Sequence, residues 1–174
     1  MIIHRPLDSE YPEFYHRYVQ LVPDNDVLKF LKKQKRSFID LIKEIPEKKQ
    51  THRYAAGKWS IKEVVGHAVD TERIMANRAL AFSRGEAQSI PGFDENAYVE
   101  KASFDSRSME SFVKEFTALR DSNMTLFESF SEVMIDRKGS ANERLFTVRS
   151  IIYIVAGHLE HHQLILKERY LGHY

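Results

Sequence analysis

The sequence predicts an all-α fold, a four-helix bundle, from three observations. Four segments of about 20 residues carry apolar side chains at spacings of three and four, the period of a helix with one buried face. No stretch alternates apolar and polar residues between turn signals, as a half-buried strand would. The 174 residues are 43% hydrophobic and 29% charged, the balance of a folded chain. We therefore expect one domain over residues 1–174.

The ends of the helical segments are marked by ordinary start and stop signals. The segments cover about residues 26–45, 60–85, 107–133 and 148–170. Pro46 ends the first, because proline cannot continue a helix. Ser60 and Glu63 open the second with the spacing of a capping box, in which each side chain accepts a hydrogen bond from the other residue's backbone amide. Trp59, just before this cap, is interpreted as a hydrophobic staple.

The connection between the second and third helices, residues 83–106, is unusually long for a compact domain. About two dozen residues can span more than the ~30 Å length of a 20-residue helix. The chain can therefore return along the bundle, and these two helices need not be antiparallel neighbours. We expect Asp94, Asn96 and Tyr98 of this segment to lie at the mouth of a pocket, with a plain surface loop as the alternative.

Histidines on two helices form a candidate metal site. His158 and His162, in "GHLEHHQLIL", are four residues apart and share the apolar, inward face of the fourth helix. Two imidazoles one turn apart can reach a single metal. His67, in "GHAVDTER", lies on the inward stripe of the second helix and would supply a third nitrogen. Three such ligands leave coordination positions open. Core histidines held by ordinary hydrogen bonds are the alternative.

Charged residues near these histidines are candidates for supporting roles. The candidate acceptors for the histidine N–H groups are Glu63 and Asp70, one turn either side of His67, and, further along the chain, Glu160 and Glu168. Arg73 and Arg149 are candidates for holding an anionic cosubstrate. For the acids the alternative is a solvated surface charge, and for the arginines it is a salt bridge on a helix surface.

Composition excludes several classes of function. Lys and Arg number 26 against 25 Asp and Glu, and neither half of the chain is strongly basic, so we expect neither a nucleic-acid partner nor an anionic membrane partner. The absence of cysteine removes disulfides, thiolate ligands and a cysteine nucleophile, and favours the cytoplasm. The stretch before the first segment lacks the basic and apolar blocks of a secretory signal, so we do not expect one, and the longest apolar runs are too short to span a bilayer.

Three stretches together resemble the DinB/YfiT-like metalloprotein superfamily. They are "KWSIKEVVGHAVDTER", the connection "RGEAQSIPGFDENAYVEKASFD" and "GHLEHHQLILKERY", in the family's order, within a match from about Tyr11 to Tyr170. The resemblance implies a four-helix bundle with up-down-down-up topology. It also implies one divalent metal ion, Ni²⁺ or Zn²⁺, held by His67, His158 and His162. His161 lies outside this triad, in a supporting or solvent-facing position.

The function that this resemblance implies is metal-dependent chemistry on small molecules. Its leading form is a thiol S-transferase of the bacillithiol type, whose partners are a small-molecule thiol and an electrophilic substrate. A metal-dependent hydrolase and a non-catalytic metal-binding bundle are the alternatives. The resemblance also favours a homodimer, although no apolar stripe in the sequence indicates one.

Overall fold

The computed structural model describes residues 1–23 and 26–172, and helices dominate it. In chain order these are α1 (His16–Val19), α2 (Val27–Glu44), α3 (Ile61–Ser83), α4 (Glu95–Ala102), α5 (Met109–Glu128), α6 (Glu132–Ile135) and α7 (Val148–Ile165). The four long helices, α2, α3, α5 and α7, form the bundle, so the predicted fold class is confirmed. Within the described residues, no helix is long and apolar enough to cross a membrane.

Local caps explain why the predicted helix ends are close to the observed ones. The Asp26 side chain accepts a hydrogen bond from the Lys29 amide and starts α2. At α3 both bonds of the predicted capping box are present, at 3.1 Å to Ser60 Oγ and 2.7 Å to Glu63 Oε2. The third segment ends at Glu128, earlier than predicted, and the short helix α6 follows. After α7, the chain continues as a π-helical segment, Leu166–Leu171.

A short β-hairpin between α6 and α7 was not predicted. Strands β1 (Lys138–Ala141) and β2 (Arg144–Thr147) pair antiparallel, and both turn residues, Asn142 and Glu143, have positive φ. Such a two-residue turn matches the right-handed twist of a hairpin. Strands of four residues are too short to show a clear alternation of apolar and polar positions. The expectation that the chain holds no strand is therefore corrected at this one place.

The order of the four helices around the bundle follows from which helices touch. α2 packs against α5 and α7, and α3 also packs against α5 and α7. Lys32 pairs with Glu128 and Lys35 with Asp121, so α2 and α5 run antiparallel. Gln34 of α2 bonds to Ala156 of α7, and Ser37 bonds to Gln163, so these two helices run parallel. Tyr170, after α7, bonds to the Trp59 carbonyl just before α3, so α3 and α7 run antiparallel. With the chain rising along α2, α3 and α5 therefore descend and α7 rises. This is the up-down-down-up arrangement.

The long connection makes it possible for α3 and α5 to run parallel. It leaves α3 after Ser83 and pairs with the hairpin through Ile90, whose amide donates to the Ser140 carbonyl at 2.9 Å. It then forms α4 and reaches Asp105, whose carboxylate accepts a bond from Ser60 at the start of α3, at 2.5 Å. The segment therefore returns along the bundle, as its length predicted.

The bundle core consists of two apolar clusters with polar residues between them. One cluster contains Phe82, Phe127 and the first half of α7, and the other contains Phe38, Phe112 and the first half of α3. Nine of the buried polar side chains lie at the level between the two clusters. They are Gln34, His67, Thr71, Glu72, Arg120, Asn123, His158, His162 and Gln163.

Candidate metal centre

Three histidines meet in this polar layer, where α3 packs against α7. His67 comes from α3, and His158 and His162 come from α7. The Nε2 atom of His158 lies 3.2 Å from Nε2 of His67 and 3.1 Å from Nε2 of His162. One ring nitrogen from each residue lies within 4.8 Å of the other two. The structure thus brings together the three residues that the spacing singled out, on two different helices.

Two glycines allow other elements to pack closely beside the histidines. At Gly157 a Cβ would collide with the backbone carbonyl of Tyr18, so α1 lies directly on α7. As a result the Tyr18 ring meets the His158 ring edge-on, with centroids 5.3 Å apart. At Gly66 a Cβ would lie 2.5 Å from the Phe104 ring, so the long connection packs directly on α3 beside His67.

Burial keeps the three imidazoles neutral. All three side chains are buried, with residue exposures of 4%, 7% and 8% in chain order. Removal from water lowers the pKa of His67 to about 4. The pKa values of His158 and His162 are also well below their usual range, first because of burial and second because of the neighbouring histidines. At neutral pH each ring therefore has an unprotonated nitrogen available as a ligand.

The donor set fits a divalent metal ion. Zn²⁺ binds imidazole nitrogen at about 2.1 Å, so two nitrogens on one ion lie about 3.0 Å apart at right angles and about 3.4 Å apart at the tetrahedral angle. The observed separations of 3.1 and 3.2 Å fall between these values. Three imidazoles on one ion would leave at least one coordination position open. Nδ1 of His162, the ring nitrogen that faces away from the other two histidines, is buried without a hydrogen-bond partner among the described residues.

Thr71 and Trp59, rather than the expected acids, are next to His67. The Thr71 hydroxyl lies 3.5 Å from Nδ1 of His67, and the Trp59 ring lies 4.7 Å from the His67 ring. When Nε2 of His67 serves as the ligand atom for a metal ion, Nδ1 carries the proton and can donate to the Thr71 hydroxyl. This bond fixes both the tautomer and the orientation of the ring.

The acids expected near the histidines have other partners. Glu63 forms an ion pair with Arg53 and caps α3, and Asp70 pairs with Arg73. Glu160 accepts hydrogen bonds from two glutamines, and Glu168 is exposed. The glutamines are Gln34 and Gln163. The structure therefore shows none of these four acids accepting a bond from a histidine of the triad.

The remaining candidates also lie outside the triad. Arg73 pairs with Glu115 as well as with Asp70, and Arg149 pairs with Glu10 and Asp136. Both arginines thus form the salt bridges that were the alternative to a cosubstrate site. His161 is half-buried, with its ring 5.2 Å from the rings of both Tyr18 and His162.

A pocket of about 300 Å³ opens beside the histidines, and His158 and Thr71 form part of its wall. Aromatic side chains supply much of the rest; they are Phe14, Tyr15, Tyr18, Phe93 and Phe146. Arg78 and Arg144 also line it, together with one acid, Glu95. The long connection reaches the pocket through Gly92, Phe93 and Glu95.

The residues named earlier for the pocket mouth are not among those that line it. Asp94 caps α4 by accepting hydrogen bonds from two amides at its start, and Tyr98 is half exposed and packs on Phe93. Asn96 is exposed. The segment therefore contributes to the pocket through Gly92, Phe93 and Glu95 rather than through the three residues proposed for its mouth.

Two parts of the pocket were missed at the sequence level. The N-terminal stretch "YPEFYHRY" supplies three aromatic rings, and its density of aromatic residues was the available signal. Arg78 lies three residues after Met75, on the inward stripe of α3 that also holds His67 and Thr71. A charged residue on a buried stripe is rare unless it is paired or functional, so this position could have been found.

Comparisons with known proteins agree with the fold. Residues 31–166 match the model of the DinB superfamily. YfiT from Bacillus subtilis, described as a probable metal-dependent hydrolase with an unusual four-helix bundle topology, is similar in structure, with a TM-score of 0.70. Sequence identity is 17%, over 98% of this chain and 95% of YfiT. No curated protein matches the chain. Because the family model covers most of its length, the chain belongs to the DinB superfamily.

Proposed function

We propose that this protein is a divalent-metal-dependent enzyme acting on small molecules, with one ion held by His67, His158 and His162. The observation that carries the proposal is the meeting of three buried, neutral imidazoles from two helices at the wall of a pocket. A metal ion that only braced the helices would not need a cavity beside it.

The bound ion would supply Lewis acidity, which lowers the pKa of a coordinated thiol or water and provides a nucleophile at neutral pH. The chain's own residues set the conditions for this chemistry. Neutral histidines leave the full positive charge of the ion in place. Thr71 orients the His67 ring, and the aromatic walls limit the access of water to the reacting atoms.

For the nucleophile, we propose a small-molecule thiol, of the bacillithiol type, and therefore S-transfer. Its sulfur forms a bond to an electrophilic carbon, the leaving group departs with its electron pair, and the thiol proton passes to solvent. A free thiol loses its proton near pH 8.5, so it needs much less help than water. Among the described residues that line the pocket, the one acid, Glu95, is exposed. The chain also contains no cysteine, so the sulfur must come from a cosubstrate.

Hydrolysis is the second candidate function. The observation in its favour is the structural similarity to YfiT, which is described as a probable metal-dependent hydrolase. The same three histidines would serve, and Glu95 at the rim is the acid available for proton transfer. We propose Zn²⁺ or Ni²⁺ for both reactions, since imidazole nitrogen suits either ion.

The metal site can be tested separately from the activity. We expect isothermal titration with Zn²⁺ and Ni²⁺, together with elemental analysis, to find about one ion per chain. His158→Ala should abolish binding, because it removes the nitrogen that lies between the other two. His161→Ala is the matched control, since it removes a neighbouring imidazole outside the triad. Equal binding by wild type and His158→Ala would place the metal elsewhere and contradict the site.

The reaction can be tested by incubating metal-loaded protein with several low-molecular-weight thiols, including bacillithiol, and a generic haloaromatic electrophile. We expect thioether formation that requires the metal and is lost in His158→Ala. The same protein is offered ester and amide substrates. Cleavage of these without thiol turnover identifies a hydrolase. One ion per chain with neither activity indicates a non-catalytic bundle.

A further inference from the structure

Arg78 is a buried cation without an anionic partner. Its residue exposure is 3%, and no carboxylate in the described part of the chain forms an ion pair with it. Its Nε is buried and has no hydrogen-bond partner within the same part of the chain. Arginine cannot lose its proton to escape this cost, because its pKa lies above about 12.

The contacts that Arg78 does make are weak or neutral. Nη2 donates to the Pro91 carbonyl at 3.2 Å, and Nη1 points at the Met75 sulfur at 3.7 Å. The hydroxyl of Tyr15 is a further neutral partner. None of these groups carries a negative charge. The guanidinium therefore keeps its whole charge and part of its hydrogen-bonding capacity.

A second buried arginine in this protein is paired with a carboxylate. Arg120, with an exposure of 0%, donates from Nε and Nη2 to the two carboxylate oxygens of Glu72, at 2.7 Å each. Its Nη1 donates to the Leu31 carbonyl at 2.9 Å. Charged side chains that are removed from water are normally paired in this way, because burying an unpaired charge destabilises the folded protein by about 3–5 kcal/mol. Arg78 departs from that pattern, and it lines the pocket beside the histidines.

The position of Arg78 relative to the histidines indicates what the missing partner is. Arg78 and His158 line the same pocket, and aromatic rings, including Tyr18 and Phe146, lie on its walls. Guanidinium groups bind carboxylates through two parallel hydrogen bonds, and Arg78 has donors free to do so. The pocket volume of about 300 Å³ is at the lower end of the range for small-molecule sites.

We propose that Arg78 binds the carboxylate of a small substrate whose body is apolar or aromatic and whose other end faces the histidines. The assignment of the reacting end rests on the proposed function; the carboxylate site does not. The aromatic walls bury the body of the ligand, and the anion neutralises the arginine. A substrate without the anion would leave the guanidinium buried and unpaired, so the site discriminates strongly against it.

The test compares two probes that differ only in charge: 3-phenylpropionate and 3-phenylpropanamide. Binding to metal-free protein is measured by titration calorimetry or ligand-observed NMR, which removes any attraction of the carboxylate to a metal. We expect the acid to bind wild type at least tenfold more tightly than the amide. Arg78→Gln should remove the difference. Arg144→Gln, which removes an exposed arginine of the same pocket, should preserve it.

Several outcomes would overturn the proposal. One is equal affinity of wild type for the two probes, and another is no binding of either. A preference that survives in Arg78→Gln but disappears in Arg144→Gln would place the anion at the rim. If Arg78→Gln does not fold, the two probes are compared on wild type and Arg144→Gln alone. A preference for the acid that persists in Arg144→Gln then supports the Arg78 site, and its absence contradicts it. A protein that binds no metal yet prefers the acid would contradict the proposed function and support the Arg78 site.

Discussion

Each histidine of the triad is kept neutral by burial, and this makes the stability of the metal-free protein depend on pH. The pKa of His67 is about 4 in the folded chain, against an ordinary value of 6.5. Between these values the unfolded chain binds a proton that the folded chain does not. The free energy of unfolding therefore falls as the pH is lowered through this window. His158 and His162 act in the same direction, because their pKa values are also lowered.

We expect the free energy of unfolding to fall by up to about 1.4 kcal/mol per pH unit for each buried histidine as the pH is lowered below 6.5. Urea denaturation of metal-free protein between pH 7 and 5 measures it. The variant His67→Asn should reduce the dependence of the free energy of unfolding on pH. His4→Asn, which changes an exposed histidine, is the control and should not. A stability that stays constant over this range would show that the imidazoles are not held neutral by the fold.

Thr71 supports the triad through a single hydroxyl, and its contribution can be isolated. Thr71→Val keeps the shape of the side chain and removes the acceptor for His67 Nδ1. We expect the affinity for Zn²⁺ to fall about 10-fold, the lower end of the effect of losing such an acceptor. Thr117→Val is the matched control, because the Thr117 hydroxyl bonds to a carbonyl of its own helix α5. Equal Zn²⁺ affinity of Thr71→Val and wild type would contradict the assigned tautomer.

At the scale of elements, the close approach of α1 to α7 decides where the pocket wall lies. Alanine normally stabilises a helix relative to glycine, by about 1 kcal/mol. At Gly157, however, the added Cβ would meet the backbone carbonyl of Tyr18, which cannot move without α1. Gly157→Ala should therefore destabilise the protein by about 1–3 kcal/mol in chemical denaturation.

Gly92→Ala provides the comparison for this effect. The added Cβ at Gly92 would meet only the side chain of Asn142, at 3.0 Å, and that side chain can turn away. We expect its effect on stability to be small. If Gly157→Ala were as stable as wild type or more so, α1 would not be packed on α7 as described.

The elements that the sequence predicted are those fixed by local interactions. The four long helices follow from their apolar stripes and side-chain caps, such as the Ser60–Glu63 box. Two histidines of the triad were predictable for a similar reason, since His158 and His162 share a helix face by spacing alone. That His67 meets them depends on the packing of α3 on α7. The hairpin, α1 and α4 depend on contacts between distant parts of the chain. No local sequence pattern predicts that Tyr18 lies against His158. The contact arises because the N-terminal segment packs on α7 at Gly157, where no side chain keeps the two backbones apart.

At the scale of the whole molecule, one buried hydrogen-bond network connects all four long helices. Arg120 of α5 binds Glu72 of α3 and also contacts Gln34 of α2, at 3.4 Å. Gln34 donates in turn to the Ala156 carbonyl of α7, at 2.8 Å. Glu72 follows Thr71 in the chain and Ala156 lies two residues before His158, so the network adjoins the candidate metal site. The network fixes the register of the four helices at the level where the histidines must converge.

Removing one member of the buried ion pair should destabilise the protein more than replacing both members with apolar residues. Arg120→Met leaves the Glu72 carboxylate buried without its partner, which we expect to cost about 3–5 kcal/mol in denaturant unfolding. The double variant Glu72→Met/Arg120→Met removes both charges and fills similar volume, so it should be less destabilised than the single variant. Circular dichroism checks that both remain helical. A double variant as unstable as Arg120→Met would mean that the neighbours of the pair, rather than its charges, set the cost. If instead the double variant recovers stability but binds Zn²⁺ more weakly, the ion pair is retained for the geometry of the histidines and not for the stability of the bundle.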